Sequence, residues 1–175
     1  MGITISSSRN RVKSAVSKSP EFDSACDSAF AHCLSLTQHS FPGVFPYQLP
    51  AASAHLHRSL SSSLPLVRRW VPSPPSRSQI DSALRLVLHQ TRPPPPLPDG
   101  TQILGQAEFK QWAAELFGAA VVENAGKAVL TRVPVGIAGI AGLGLVTRSG
   151  KELVGSAIGV YALGVATSIY LSLSG

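Results

Sequence analysis

The sequence predicts an all-α protein that combines a small N-terminal helical domain of about four helices with a C-terminal Gly-rich hydrophobic helical hairpin. Three observations support this fold class. Apolar residues recur at spacings of three and four through the first two thirds of the chain, and proline-rich segments separate these stretches. The last third is rich in glycine and alanine and poor in charge. The predicted parts are a basic Ser-rich tail at 1–19, a helical domain at 20–121 with linkers near 42–50, 72–75 and 93–98, and a membrane-associated hairpin at 122–175.

The composition favours association with a membrane or with a tightly bound partner. Charged residues make up 14% of the 175 residues, against roughly 25% in soluble proteins, and the mean hydropathy is +0.19. The formal net charge is +6, and no acidic residue occurs between Ser28 and Ile80. Basic surfaces attract anionic lipids and nucleic acids alike. Because no nucleic-acid-binding motif is present, no nucleic-acid partner is expected.

The N-terminal segment is compatible with three interpretations. Met-Gly followed by Ser6 matches the pattern for N-myristoylation, with Gly2 as the acceptor. Four basic residues before Glu21 would add about 1 kcal/mol of attraction per charge to anionic lipid. These basic residues are Arg9, Arg11, Lys13 and Lys18. The Ser-rich, acid-poor composition is also typical of a mitochondrial or plastid presequence, and an unmodified tail is the third interpretation.

Three amphipathic helices are predicted before the run of four prolines. The first covers 20–38, where Ser19 can cap the helix and Pro20 suits the first helical position. The second covers 50–61, and the third begins after a cap at Ser78. These helices are expected to bury their apolar stripes in a common core.

The two cysteines are predicted to be buried thiols in a reducing compartment. Cys26 and Cys33 lie two helical turns apart, about 10 Å along the axis, which is too far for a disulfide within one helix. Their spacing to His32 and His39 matches no zinc site, so no metal cofactor is expected.

The fourth helix is predicted over 105–120, with a wide apolar stripe that is typical of a protein core. Glu108, Lys110 and Glu115 are predicted to lie largely off this stripe. The stripe consists of Phe109, Trp112, Ala113, Leu116, Phe117 and Ala120.

The segment "PDGTQILGQAEFKQW" resembles the end of an EF-hand loop and the helix that follows it. That family's loop ends with the pattern hydrophobic-x-x-x-Glu-Phe. This chain matches the pattern with Leu104, followed after three residues by Glu108 and Phe109. Counting back from Glu108 as loop position twelve places Asp99 at position three and Thr101 at position five. The family requires an acidic oxygen at position one and glycine at position six, where this chain has Leu97 and Gln102.

The resemblance covers about residues 78–118 and implies an EF-hand-like helix–loop–helix unit that has lost calcium binding. Because EF-hands usually occur in pairs, the helices at 20–38 and 50–61 would form the partner unit. The alternative is a chance similarity in a generic helical domain.

The C-terminal third predicts a hydrophobic hairpin in a bilayer. The run from Leu153 to Gly175 contains 23 residues without a charged side chain, and roughly 20 residues span the hydrocarbon core. The stretch Val133–Val146 is shorter and is flanked by Arg132 and Arg148. The intervening "TRSGKE" is predicted to form the turn.

Small residues in this third predict close helix–helix packing. Small side chains at four-residue spacing allow two backbones to approach in lipid, whereas glycine inside a helix in water costs about 1 kcal/mol relative to alanine. The alternative is a buried helical pair in a soluble all-α protein. The predicted packing positions are Gly155, Gly159, Ala162, Ala166, Gly136 and Gly139.

No arrangement of residues typical of an enzyme is present, so no catalytic residue, cofactor or small-molecule substrate is predicted. The sequence instead predicts a non-enzymatic, membrane-anchored scaffold, adaptor or subunit of a membrane complex. Its predicted partners are a lipid bilayer and another protein or a second copy bound through the Gly-rich helices. The membrane would face the cytosol if Gly2 is acylated, and a mitochondrial or plastid membrane is the alternative. A calcium-independent EF-hand-like interaction module is the second functional interpretation.

Overall fold

The computed structural model describes residues 2–90, 102–146 and 151–172, and its regular structure confirms the predicted all-α class. Within these ranges the chain forms no strand, and Val44 and Leu104 make an isolated antiparallel bridge. A short 3-10 turn at Pro46–Gln48 precedes the third helix. The α-helices are α1 (Gly2–Ser17), α2 (Pro20–Leu36), α3 (Leu49–Ser63), α4 (Pro65–Trp70), α5 (Arg77–Gln90), α6 (Gln106–Val146) and α7 (Lys151–Ser172).

The chain divides into two compact units, Met1–Val122 and Glu123–Gly175. We call them the helical domain and the C-terminal unit. The sequence places this division after residue 121. Helix α6 contributes its first part to the helical domain and its remainder, including Pro134, to the C-terminal unit. The sequence predicts two separate helices here, whereas α6 is continuous over 41 residues. Residues 147–150 of the predicted turn lie outside the described residues.

Residues 2–17, which the sequence predicts as a tail, form helix α1. Its serines and β-branched residues have weak helix propensity, so the sequence contains no strong local signal for this helix. Tertiary packing stabilises it instead. Val12 and Val16 are each only 1% exposed, and two basic side chains of α1 bind Glu115 of α6.

Glu115 is buried, which corrects the prediction that it lies off the apolar stripe of α6. Arg9 Nη2 lies 3.2 Å from Glu115 Oε2, and Lys13 Nζ binds the other carboxylate oxygen. Helix α1 also approaches Gly118 closely, because a Cβ at Gly118 would lie 3.3 Å from Lys13 Cβ. The apolar stripe alone does not predict this burial, since it depends on α1 covering a second face of α6.

Helices α2 and α3 form a helix–loop–helix unit close to the predicted positions. The Ser19 hydroxyl accepts a hydrogen bond from the Phe22 N–H at 3.2 Å, as expected of an N-cap. Gln38 and His39 have positive φ angles of 50° and 57° where the chain leaves α2. The buried face of α2 consists of Phe22, Ala25, Cys26, Ala29 and Cys33.

Helix α5 begins two residues earlier than the predicted cap at Ser78 implies. The Ser76 hydroxyl accepts from the Gln79 N–H at 3.4 Å, and Gln79 Oε1 accepts from the Ser76 N–H at 2.9 Å. These reciprocal bonds form a capping box, so Ser76 rather than Ser78 caps the helix. The short helix α4 has no counterpart in the sequence prediction, because six residues between prolines show no periodicity.

The core of the helical domain lies around the first part of α6. Phe109, Trp112 and Phe117 are fully buried. The Phe109 ring lies 5.6 Å from the Phe30 ring and 5.3 Å from the Trp112 ring. The Trp112 indole donates a hydrogen bond to the Ile80 carbonyl at 3.4 Å, which links α6 to α5.

Candidate functional site

The C-terminal unit exposes large apolar side chains. Leu163 is 72% exposed and Val160 is 71% exposed on α7. Leu130 on α6 and Leu171 near the end of α7 are also exposed. Single exposed apolar residues are ordinary, but several on one small helical unit are typical of a surface that binds a membrane or a protein.

The exposure follows from the sequence of the two helices. An amphipathic helix buries one apolar face and presents polar residues to water. In the described part of α7, apolar and small residues occur around the whole helix, as in the run Gly159–Ala166. Whichever face packs inside the unit, apolar side chains therefore face outwards.

The small residues predicted to mediate helix packing form part of this surface. Gly159 is exposed, and a Cβ added there would meet no atom within 4 Å; the same holds for Gly164. Ala166 is exposed and Ala162 is partly exposed. The close approach predicted at Gly159 is therefore not made within the described part of the chain.

Gly155, Gly136 and Gly139 lie within helices α7 and α6, and their surroundings are outside the described residues. The sequence predicts a hairpin that crosses a bilayer. Among the residues that the structure describes, no helix is both long enough and apolar enough to do so.

The loop between α2 and α3 lies beside the segment that enters α6. The Val44 N–H donates to the Leu104 carbonyl at 2.8 Å, and the Leu104 N–H donates to the Val44 carbonyl at 2.8 Å. These bonds join the loop between α2 and α3 to the segment that enters α6. Residues 91–101, which connect α5 to this segment, lie outside the described residues, so the paired arrangement that the EF-hand resemblance implies stays a prediction.

The described residues of these loops do not form a calcium site like that of an EF-hand. Glu108 lies four residues after Leu104, in the first turn of α6, and its Oε2 lies 2.6 Å from the place that a Cβ on Gly105 would occupy. Its carboxylate therefore folds back over the start of the helix. Asp99 and Thr101, the other degenerate calcium-loop positions, lie outside the described residues.

Gln48 occupies the matching position in the other loop, four residues after Val44. It is 4% exposed. Its amide nitrogen donates to the Cys33 carbonyl and its amide oxygen accepts from the Phe45 N–H, both at 2.9 Å. An EF-hand has a bidentate glutamate at this position. This loop has a neutral side chain whose hydrogen bonds are already used to hold the loop together.

The predicted N-terminal membrane signal is reduced by internal pairing. Arg9 and Lys13 bind Glu115, so two of the four basic side chains are engaged within the helical domain. Arg11 and Lys18 are exposed. Gly2 is the first residue of α1, and its surroundings lie outside the described side chains.

The two thiols are free and buried, as predicted from their spacing. Cys26 is 0% exposed and Cys33 is 1% exposed. Burial raises the pKa of Cys26 to about 12 and that of Cys33 to about 11, because a thiolate is poorly solvated there. Both groups therefore stay protonated and unreactive at neutral pH.

The histidines make structural contacts. The His57 Nε2 lies 2.7 Å from the Val71 carbonyl oxygen, and the His55 ring stacks on the His32 ring at 5.2 Å. Burial, with the nearby His32 and Arg58, lowers the pKa of His55. Across the described ranges, no three His, Cys, Asp or Glu side chains are grouped so that they could hold a metal ion.

Comparison of the chain with protein families, with curated proteins and with solved structures found no match.

Proposed function

We propose that this protein is a non-enzymatic, membrane-associated adaptor or scaffold. In this proposal the C-terminal unit binds the bilayer and the helical domain presents its surface to a protein partner. The observation that carries the proposal is the exposure of Val160, Leu163 and Leu171 on α7, together with Leu130 on α6. The helical domain, in contrast, buries its large apolar stripe on α6.

With all four side chains in the bilayer, this surface supplies about as much energy as one myristoyl chain, which gives reversible membrane binding. Transfer of a largely exposed valine or leucine side chain from water to an apolar phase contributes roughly 1–2 kcal/mol. Four such side chains would contribute roughly 4–8 kcal/mol. A single myristoyl chain binds a membrane with a constant of about 10⁴ M⁻¹, or roughly 5 kcal/mol. The C-terminal unit is therefore comparable to a lipid anchor.

The exposed glycines of α7 support self-association within the membrane as part of the same proposal. Gly159 and Gly164 lie in open space, so another backbone can approach α7 without a clash. In lipid, such contacts between small residues replace the hydrophobic effect as the main source of helix association. A second copy of the chain carries the same surface, so the two copies would pack these faces against each other in an isologous contact.

Vesicle flotation with matched variants of the full chain tests the proposal. We expect the wild-type protein to float with neutral phosphatidylcholine vesicles and Leu163→Asp to float at least tenfold less. Leu36→Asp is the control, because Leu36 is 59% exposed in the helical domain and the change in charge is identical. Equal flotation of the two variants would refute a membrane role for α7.

A calcium-independent interaction module is a second candidate function. It is favoured by the bridge between Val44 and Leu104 and by the internally bonded Gln48. Here the ligand would be a partner helix, because the loops lack the oxygen ligands that calcium needs. Isothermal titration of the full chain with calcium is expected to give no binding heat. Saturable binding at micromolar calcium would contradict this interpretation.

A further inference from the structure

Two histidine rings face each other across the contact between α2 and α3. His32 lies near the end of α2, and His55 lies in the middle of α3. The ring centres are 5.2 Å apart and the ring planes differ by 15°, so the two rings are stacked. We call these two residues the histidine pair. Because an imidazole gains a proton between about pH 5 and 8, the charge at this contact changes over that range.

The neighbours of the histidine pair hold its two backbones in place. Cys33 follows His32 and is 1% exposed, and Leu56 follows His55 and is 0% exposed. The Cys33 carbonyl also accepts a hydrogen bond from the Gln48 amide nitrogen at 2.9 Å. The backbones that carry the two rings therefore cannot move apart without disturbing buried residues of the helical domain.

The groups around the His55 ring do not compensate a positive charge on it. Burial is the largest cause that lowers the pKa of His55, followed by the positive charges of His32 and Arg58. Neither of these groups is a carboxylate. The Ser28 hydroxyl lies 3.4 Å from His55 Nε2 and is uncharged. His57 does not join the pair, because its Nε2 lies 2.7 Å from the backbone carbonyl that follows α4.

The acidic residues of α2 are placed too far away or are bound elsewhere. Asp23 and Asp27 bind Lys110 of α6 at 3.2 and 3.0 Å. Glu21 lines the same groove between α2 and α3 as Ser28, but the seven residues between them correspond to about 10 Å along the helix. Helices α4 and α5 also pack against α3, and the charged groups that act on the His55 ring come from α2 and α3.

We propose that the histidine pair makes the contact between α2 and α3 sensitive to mild acid. With both rings neutral, the stack is intact. One proton on the pair is tolerated, whereas a second proton places two like charges 5.2 Å apart. The stack is then lost, and α2 and α3 pack less tightly. This property belongs to the helical domain and does not depend on the proposed membrane role.

The direction of the pH dependence follows from proton binding. Stability from the histidine pair is complete above the ordinary histidine pKa of 6.5 and falls as the pH decreases through that value. In this range the unfolded chain binds a proton at each histidine. The native state binds the second proton less readily, because the pKa of His55 is lowered. Acid therefore favours the state in which the two rings are apart.

NMR of the full chain, labelled with ¹³C at histidine, tests whether the two rings are coupled. We expect the pH midpoint of the His55 ring to lie below 6.5 in the wild type and to rise by about 0.5 units or more in His32→Gln. Arg58→Gln should also raise it, which provides a second test if His32→Gln does not fold. His89→Gln is the control, because it removes an exposed histidine from the end of α5. An unchanged His55 midpoint in both His32→Gln and Arg58→Gln would overturn the proposal.

Amide hydrogen exchange measures the consequence for the two helices. Protection of the amides around His32 and His55 is compared at pH 7.5 and pH 5.5, after correction for the intrinsic pH dependence of exchange. We expect the wild type and His89→Gln to lose roughly threefold more protection on acidification than His32→Gln does. Equal losses in the wild type and His32→Gln would overturn the proposal, even if the NMR midpoints differ, because the charge would then not reach the contact between α2 and α3.

Discussion

The helical domain and the C-terminal unit are both helical and both rich in apolar residues, but they place those residues differently. Phe109 in the helical domain is 0% exposed, whereas Leu163 in the C-terminal unit is 72% exposed. The first part of α6 has an apolar stripe with polar residues beside it, and its stripe is covered by neighbouring helices. In the described part of α7, exposed apolar side chains lie among small residues and a few exposed serine and threonine side chains. Helix formation and burial are thus separate properties.

The polar contacts of the helical domain and of the C-terminal unit also differ. The helical domain uses long-range ion pairs, such as Arg9–Glu115 and Lys110–Asp23, to join helices. In the C-terminal unit, the described ion pair is the local one between Glu123 and Lys127. The Thr131 hydroxyl bonds carbonyls of its own helix. The ion pairs of the helical domain therefore join separate helices, whereas the Glu123–Lys127 pair joins neighbouring turns of one helix.

The largest expected effect on stability is the difference between truncating a buried apolar side chain and truncating an exposed one. Phe109→Ala is expected to lower the free energy of unfolding by about 3–5 kcal/mol, because it removes a ring packed between Phe30 and Trp112. Leu163→Ala should change it by less than about 0.5 kcal/mol in lipid-free buffer. Guanidinium unfolding followed by tryptophan fluorescence measures both values. Similar losses would mean that α7 is packed into a common core.

The next effect concerns the buried carboxylate that holds α1. Glu115→Ala is expected to cost about 2 kcal/mol, less than a fully buried pair because Arg9 and Lys13 are partly exposed. Glu123→Ala is the matched control, since its pair with Lys127 is exposed and is worth at most about 1 kcal/mol. Thermal melting gives the comparison. If the two substitutions cost the same, the Glu115 ion pairs do not anchor α1.

A smaller effect is expected at the bridge between the two loops. A Cβ at Gly43 would lie 2.5 Å from the Leu104 carbonyl oxygen, so Gly43→Ala should cost about 1–2 kcal/mol through overpacking. Gly126→Ala in α6 meets no atom within 4 Å and should stabilise the helix by up to about 1 kcal/mol. Urea unfolding of the two variants should therefore shift in opposite directions. A Gly43→Ala variant as stable as the wild type would show that the loops do not need this close approach.

The smallest effect at physiological pH comes from the thiols. The pKa values of Cys26 and Cys33 are raised above the usual 9.0, so the native state binds more protons than the unfolded state at alkaline pH. Stability from this source is complete below pH 9 and falls as the pH rises towards 11–12. Thermal melts between pH 7 and 10.5 should show the decline, and it should be weaker in Cys26→Ala/Cys33→Ala. Rapid reaction of either thiol with Ellman's reagent in native protein at pH 7.5 would contradict their burial.

Some features of the two units could be predicted from the sequence and others could not. The periodic stripes of α2 and α6 and the cap at Ser19 are local signals, so these helices could be placed from the sequence. The apolar character of α7 is also evident, because it does not depend on any neighbour. Which of its residues stay exposed could not be predicted, since exposure depends on the second helix of the unit.

Local sequence also determined the helical class and the burial of Cys26 and Cys33, because each of these follows from residue type and spacing. Only the tertiary structure decided that residues 2–17 form a helix, that Glu115 is buried, and that Val44 pairs with Leu104. Each of those features joins residues far apart in the chain, and the free energy that stabilises them is gained only when both partners are folded. Long-range contacts of this kind leave no periodic signal in either segment alone.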